Sequence, residues 1–418
     1  MARQRAVSTV EGAIVIGRDY GALGVIRSLG RHDVPVWHLE ESASTATTSR
    51  FVDRRFPWPA DALEEHQLGY LLDLHRDYGL AGWTIFPTSD ESAALVARHH
   101  DALGERFLLT TPPWDAMRWA YDKRLTHDLA SETGVAFPLT HIPRDRDELA
   151  TLDCPFPMIL KPAVKPEWSR LTTAKAWRVD TRDELIARYD EATAIVPADE
   201  IMIQELIPGG GESQFSFAAL CENGRPLAWA VARRTRQLPL DFGRFSTFVE
   251  TIDHPAVEEL SRRLLTAIGY TGLIELEYKQ DPRNGAYKLL DLNGRIWAWH
   301  TLGRRAGVDF SYLQWQHLHG ESIPETRARY GVRWMRGLTD VPAATQAIWN
   351  GTLRPLAYLG SFRPPIEFAI FAPDDPLPAV VDAPLLLKRT VSRFWRGRQR
   401  LASGKALGIA AAFCRAGL

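Results

Sequence analysis

The chain has 418 residues, 45% of them hydrophobic and 24% charged, which is enough for two or three domains and a large buried core. Fifty lysines and arginines against fifty-one aspartates and glutamates give a net charge of −1, which argues against a protein held on nucleic acid by an excess of phosphate contacts. Cys154, Cys221 and Cys414 lie far apart without a CxxC pair, and no apolar run is long enough for a spanning helix, so we expect no disulfide framework or cysteine-rich zinc site and a soluble, cytoplasmic protein.

Residues 13–17 (AIVIG) form a short apolar run ending in glycine, followed by a helix-like segment over 21–30 and a strand-like run over 34–39. A further strand signal over 83–86 ends in ProThrSerAspGlu, with a helical pattern through Leu95. Strands alternating with helices predict a doubly wound α/β domain over 1–112, closed by Pro112 and Pro113. The pattern from Trp114 to Thr133 predicts one helix carrying Asp122 and Lys123. Residues 156–161 (FPMILK) read as a strand ending on Lys161, and 201–207 (IMIQELI) as a strand running into ProGlyGlyGly. Val257, Leu260, Leu264 and Ile268 keep helical spacing, and 273–279 with 287–292 make a hairpin around AspProArgAsnGly at 281–285. Beyond about residue 325 the signals weaken and prolines multiply, so 326–418 is expected to be an appended region. After Asp382 there are eight basic residues and no acidic one. Such a tail is either a helix with a solvated basic face or a contact for an anionic membrane surface or acidic partner.

The hairpin carries the most chemistry. Side chains alternate along a strand, so Glu275 and Glu277 share one face while Ile274, Leu276 and Tyr278 share the other, and Asp291 and Asn293 share a face on the return strand. Carboxylates and an amide oxygen gathered across a hairpin suit a hard cation such as magnesium beside phosphates. Lys123 and Lys161 upstream could compensate phosphate charge.

These segments together resemble the ATP-grasp superfamily, in its branch of predicted carboxylate–amine ligases. The resemblance covers roughly residues 10–325. It rests on AspLysArg (122–124) with LeuAlaSerGluThrGlyValAlaPhePro (129–138), ProPheProMetIleLeuLysPro (155–162), GlnGluLeuIleProGly (204–209), GlyLeuIleGluLeuGluTyrLysGlnAsp (272–281) and LeuLeuAspLeuAsnGlyArg (289–295), in the family's order. It implies a Rossmann-like pre-ATP-grasp domain over 1–112 and an ATP-grasp domain over 113–325, the latter split into a small lid subdomain (about 113–205) and a metal-binding subdomain (about 206–325). It implies ATP and Mg2+ as cofactors and small-molecule carboxylate and amine substrates joined through an acyl phosphate. Lys123 and Lys161 match the lysines on the nucleotide phosphates. Glu205, Leu206 and Ile207 match the hinge that reads adenine, and Glu212 the acid on the ribose. Glu277, Asp291 and Asn293 match the magnesium ligands, with Glu275 as a neighbour able to substitute. Arg295 matches the arginine near the transferred phosphoryl group and, with Lys161, is the expected catalytic group. Arg233, Arg234 and Arg236 all remain candidates for one further phosphate contact.

The chain departs from the pattern at Asp291, where a glutamate is common, at Gly294, where proline is common, and in the glycine-free loop 164–175 that should cover the phosphates. Two other readings compete. A nucleotide-dependent oxidoreductase is suggested by the βαβ opening, yet Gly17, Gly21 and Gly24 do not spell GxGxxG and Asp19 stands where the second glycine belongs. A non-catalytic ATP-binding scaffold is suggested by the glycine-free loop and opposed by the lysines and metal ligands. Trp297, Trp299 and His300 either line an acceptor pocket or simply pack.

Overall fold

The computed structural model describes residues 11–153, 155–163, 176–240 and 245–387. Cys154, Cys414, the loop 164–175 and the basic tail from Lys388 lie outside the described residues.

Three sheets organise the chain. The first is parallel, in the order Arg54–Pro57, Val36–Glu40, Ala13–Ile16, Thr84–Pro87, Leu108–Leu109. Its central strand is apolar throughout because both faces are covered. Ala13 and Val15 pack with helix Asp19–Gly30 through Leu23 and Ile26, while Ile14 and Ile16 pack on the opposite side with Leu71 and Leu74 of helix Glu64–Tyr78. This is the doubly wound arrangement that the alternating signals predict.

The second sheet is small and antiparallel, in the order Thr140–His141, Ile201–Glu205, Met158–Pro162, Trp177–Val179. Helix Arg182–Thr193 covers one face through Leu185, Tyr189 and Ala192. The third sheet runs Tyr287–Asn293, Gly272–Gln280, Gln214–Glu222, Arg225–Leu238, Phe245–Thr251, Arg333–Met335, Ile366–Phe368, with Thr326–Arg327 added beside Arg225–Leu238. Helix Pro255–Ile268 packs on it through Val257, Leu264 and Leu265, against Ile274, Leu276 and Tyr278. Those three residues are therefore core, as alternation along the hairpin predicts.

The segment beyond residue 325 is integral to this architecture rather than appended to it. Arg333–Met335 pairs antiparallel with Phe245–Thr251, and Ile366–Phe368 pairs parallel with Arg333–Met335. Strands of three residues between prolines give no periodicity to read, which is why this region escapes sequence analysis. The chain then returns to the first domain. Asp375, 1% exposed, accepts from Arg27 Nε at 2.9 Å, Ser49 Oγ at 2.7 Å and the Arg50 N–H at 3.0 Å, while Arg27 also donates to the Ile370 and Asp375 carbonyls at 2.7 Å each. Removing one partner of a buried ion pair strands the other without water. Asp375→Ala should therefore lower unfolding free energy by about 3–5 kcal/mol, visible as a large fall in melting temperature. A change below 1 kcal/mol in denaturant titration would show that Arg27 finds other partners.

Among the described residues no helix is long and apolar enough to cross a membrane.

Candidate active site

The hairpin register places Glu275 opposite Asn293 and Glu277 opposite Asp291. On the other side, Gln214–Glu222 sets Ser216 beside Glu277 and Ala218 beside Glu275, so only small side chains flank the two carboxylates. Asn293 Nδ2 donates to Glu275 Oε2 at 3.2 Å and Glu277 Oε1 at 3.0 Å. The Trp299 indole N–H donates to Glu275 Oε1 at 2.8 Å. Burial, and next the neighbouring Glu277 charge, push the Glu275 carboxyl up to about 7. Gly294 is required sterically, since a Cβ there would sit 2.6 Å from Met117 Sδ and 2.9 Å from the Tyr270 hydroxyl. The proline common at this place would meet the same wall.

Lys123 reaches the site through a break that the sequence pattern does not reveal. Residues 114–133 form two helices, Trp114–Tyr121 and Lys123–Glu132, rather than one. Asp122 between them is extended (φ −104°, ψ 115°) and its carboxylate accepts from the Arg124 N–H at 2.9 Å, acting as N-cap. Lys123 thus opens the second helix, its own N–H bonded to the Ala163 carbonyl at 3.1 Å, and Lys123 Nζ meets Asp291 Oδ1 at 2.8 Å. Lys161, on Met158–Pro162 of the small sheet, donates to Gln204 Oε1 at 2.7 Å. Both lysines are 8% exposed. His127, one turn along the helix from Lys123 and stacked on Phe137, is held down to about 4 by burial, then by Lys161 and Lys123; it is neutral near pH 7.

Of the three candidate arginines only Arg234 lines the cavity. It pairs with Glu277 and donates from Nε to Ser246 Oγ at 2.7 Å. Arg236 forks onto Asp340 with two contacts of 2.9 Å, and Arg233, half-exposed, lies 3.7 Å from Glu250. Irregular register between Arg233 and Arg236 is what separates them.

Ile201–Glu205 and the following Leu206 and Ile207 form one wall of the same cavity. The Glu205 side chain is committed elsewhere: it accepts from the Leu139 N–H at 2.9 Å, from Arg283 Nη2 at 2.5 Å and from Lys288. Burial alone would raise its carboxyl, and these donors outweigh it and hold it below the usual range. Any contact of Glu205 with a base therefore falls to its main chain. Gly211 lets the loop over 208–211 lie on the large sheet, because a Cβ there would stand 2.7 Å from the Arg234 carbonyl. Glu212 is exposed, accepts from the Gly210 N–H at 3.0 Å and stands outside the cavity lining, which takes Gly209, Gly210 and Gln214 from this loop. Lys279, which sequence reasoning missed, lines the cavity and donates to the Gly209 carbonyl at 2.6 Å.

Arg295 is placed at the junction with the first domain. Its Nη2 meets Asp90 Oδ2 at 3.0 Å, at the start of helix Asp90–Arg98. Burial works against the guanidinium charge, and Asp90, then the carboxylates of Glu275 and Asp291, more than restore it. Trp297, Trp299 and His300 are 1%, 1% and 3% exposed, the two tryptophans belong to the core between first domain and large sheet, and none of the three lines the cavity formed by the two lysines and the hairpin.

The resulting cavity of about 480 Å³ lies between the small and large sheets, its lining shared by Lys123, Lys161, Arg178, Arg234 and Lys279 with Glu277 and Asp291. Among the described residues no group of three or more histidine, cysteine, aspartate or glutamate side chains gathers as a metal cluster. The donor set is instead two carboxylates and an amide, each carboxylate now neutralised by a cation. That set fits a hard divalent ion which takes the rest of its oxygen shell from phosphates and water.

No protein-family model matches the chain. In sequence it is similar to D-aspartate ligase from Enterococcus faecium (strain Aus0004), 23% identical over 227 residues that make up 51% of this chain and 53% of that one. The chain thus spans about half the length of that relative. In structure it is similar to L-amino acid ligase from Bacillus licheniformis, with a TM-score of 0.58 and 17% identity over 74% of each chain. The biotin carboxylase domain of 2-oxoglutarate carboxylase from Hydrogenobacter thermophilus, solved with MgADP, ADP and bicarbonate, gives a TM-score of 0.59 and 16% identity over 78% of this chain and 74% of that one. The chain has the ATP-grasp fold. In this fold the four-stranded sheet supplies Lys161 and the cavity wall at Glu205, the eight-stranded sheet supplies Arg234, Glu277, Lys279 and Asp291, and the start of helix Lys123–Glu132 supplies Lys123.

Proposed function

We propose that the protein joins a carboxylate to an amine at the expense of ATP, through an acyl phosphate, releasing ADP and phosphate. The observation that carries this reading is one cavity in which five cationic side chains share the lining with the Glu277 and Asp291 carboxylates beside the apolar Leu206 and Ile207. The ligase activities of the similar D-aspartate and L-amino acid ligases support it, as does the MgADP held by a protein of the same fold.

In this reading the main chain of Glu205, Leu206 and Ile207 holds the base. Lys123, Lys161 and Arg234 neutralise the phosphates, while Glu277, Asp291 and Asn293 would hold Mg2+. The ion supplies charge compensation and alignment of the phosphates. A substrate carboxylate oxygen bonds to the γ-phosphorus as the bond to the β–γ bridging oxygen breaks and ADP leaves. Arg295, between the first domain and the hairpin, offsets charge on the transferred group. The amine nitrogen then attacks the acyl carbon, the carbon–oxygen bond breaks, and phosphate departs with the carboxylate's oxygen while the amine proton passes to solvent.

No protein nucleophile is required. Cys221 is 0% exposed and burial pushes its thiol well above the ordinary range, so it serves as a small core residue. A cytoplasmic setting fits the supply of ATP and magnesium.

The test is a paired screen of carboxylates and amines for ATP-dependent phosphate release, followed by hydroxylamine trapping with the amine withheld. ADP, phosphate and a hydroxamate are expected, with oxygen-18 moving from carboxylate to phosphate. AMP and pyrophosphate, or unlabelled phosphate during productive coupling, would overturn the reading.

A further inference from the structure

Helix Gly337–Trp349 is apolar on both sides. Its inner face, Asp340, Ala343, Ala344 and Ala347, is buried against the large sheet, with Asp340 held by Arg236. Its outer stripe follows helical spacing through Leu338, Val341, Thr345 and Trp349, and is exposed: 43% at Leu338, 53% at Val341 and 90% at Trp349. The next helix, Pro355–Gly360, continues the pattern with Leu356 at 81% and Leu359 at 64%, and Phe362 follows at 42%. Six large apolar side chains presented by two consecutive short helices are more than scattered surface residues.

Charge decides what such a surface meets. Between Val341 and Ile366 there is no acidic residue, and Arg354 and Arg363 are both exposed. The last described helix, 377–387, is tied to this unit by Arg336, which donates to Asp382 Oδ1 at 3.1 Å. Its own Leu377, Val380 and Leu387 are exposed. The sequence that follows it carries eight basic residues and no acid. Arg354 and Arg363 are the exposed charges of the helical pair itself, the acid Asp374 being paired with Arg31, so a second copy of this surface would bring like charges together. The surface is complementary to an interface that is apolar within and anionic at its rim. A tryptophan whose ring is apolar and whose N–H is polar suits that boundary.

We propose that the helical pair Gly337–Trp349 and Pro355–Gly360 seats the protein on a membrane surface containing anionic lipid, with the outer stripe entering the headgroup region and the basic residues lying over lipid phosphates. The interaction holds the enzyme at the surface without spanning it. It is independent of the ligase reading, since none of these side chains lines the cavity between the sheets.

The test is co-sedimentation of the full chain with vesicles of phosphatidylcholine alone and of phosphatidylcholine with 30% phosphatidylglycerol, at low and physiological salt. Binding to the anionic vesicles, weakened by salt, is expected. The triple variant Trp349→Ser, Leu356→Ser, Leu359→Ser should bind at least tenfold more weakly with an unchanged melting temperature, because each replaced side chain is mostly solvated. Should that variant misfold, Trp349→Phe keeps the bulk, and quenching of protein fluorescence by brominated lipid should fall in it relative to the unaltered chain. Equal vesicle binding by the triple variant, equal quenching in Trp349→Phe, or a dimer in light scattering that the triple variant dissolves without any vesicle binding would each overturn the proposal.

Discussion

Glu277→Gln and Asp291→Asn should each lower ATP-dependent turnover by on the order of 10²-fold or more, with the loss greatest at limiting magnesium. Both substitutions keep an oxygen that can accept from the present partner, Arg234 or Lys123, so the hairpin and its hydrogen bonds survive. What disappears is one negative charge from a donor pair, Glu277 and Asp291, since the third carboxylate of the lining, Glu205, is committed to Leu139, Arg283 and Lys288. A hard cation bound by so few protein charges depends strongly on each of them. Turnover should therefore recover partly as magnesium is raised, which a change in folding would not produce. Turnover equal to the unaltered protein at limiting magnesium would remove that position from the ligand set. Glu275→Gln separates the neighbour from the pair: its carboxyl is raised by burial and already satisfied by Trp299 and Asn293, so a smaller effect is expected.

The hairpin was legible in the sequence because a two-residue period is absolute. Once Ile274, Leu276 and Tyr278 are core, Glu275 and Glu277 have to face the other way. The first domain was legible for a similar reason, since short apolar runs alternating with helical patterns leave few topologies. Features set by a single residue's local chemistry were harder to read. Asp122 fits a helical pattern by spacing, and only its competition for the Arg124 N–H reveals the break that turns Lys123 toward Asp291. The choice among Arg233, Arg234 and Arg236 depends on irregular pairing with Phe245–Thr251, and a bulge reverses which side chains face the cavity. Lys279 carries no signal of its own in the sequence, and its place in the cavity depends on the Gly209 carbonyl brought over it by the fold. Glu205 was expected at the hinge; it lines the cavity, and its carboxylate serves Arg283, Lys288 and Leu139, partners from two other segments. The region after residue 325 was missed because its strands hold through partners distant in sequence.

Lys161→Ala should weaken ATP binding roughly tenfold or more, the equivalent of about 1.5–3 kcal/mol for a hydrogen bond to a charged group, and leave the melting temperature nearly unchanged. The reason is its partner. Lys161 Nζ donates to the neutral Gln204 amide, and losing that bond costs less than breaking a buried ion pair. Lys123 differs, because its ammonium meets Asp291 inside a site where both are mostly buried. Lys123→Ala therefore removes a cation from the proposed phosphate cradle and also strands Asp291, and it should lower both ATP affinity and thermal stability. Comparing ATP with AMP separates a phosphate contact from a general distortion of the cavity. AMP presents the base and sugar but not the β- and γ-phosphates, so calorimetry should show little change in its affinity for Lys161→Ala while ATP affinity drops. Equal losses for both nucleotides would mean that Lys161 shapes the hinge wall through Gln204. Unchanged ATP affinity in both lysine variants would mean that neither ammonium meets the nucleotide.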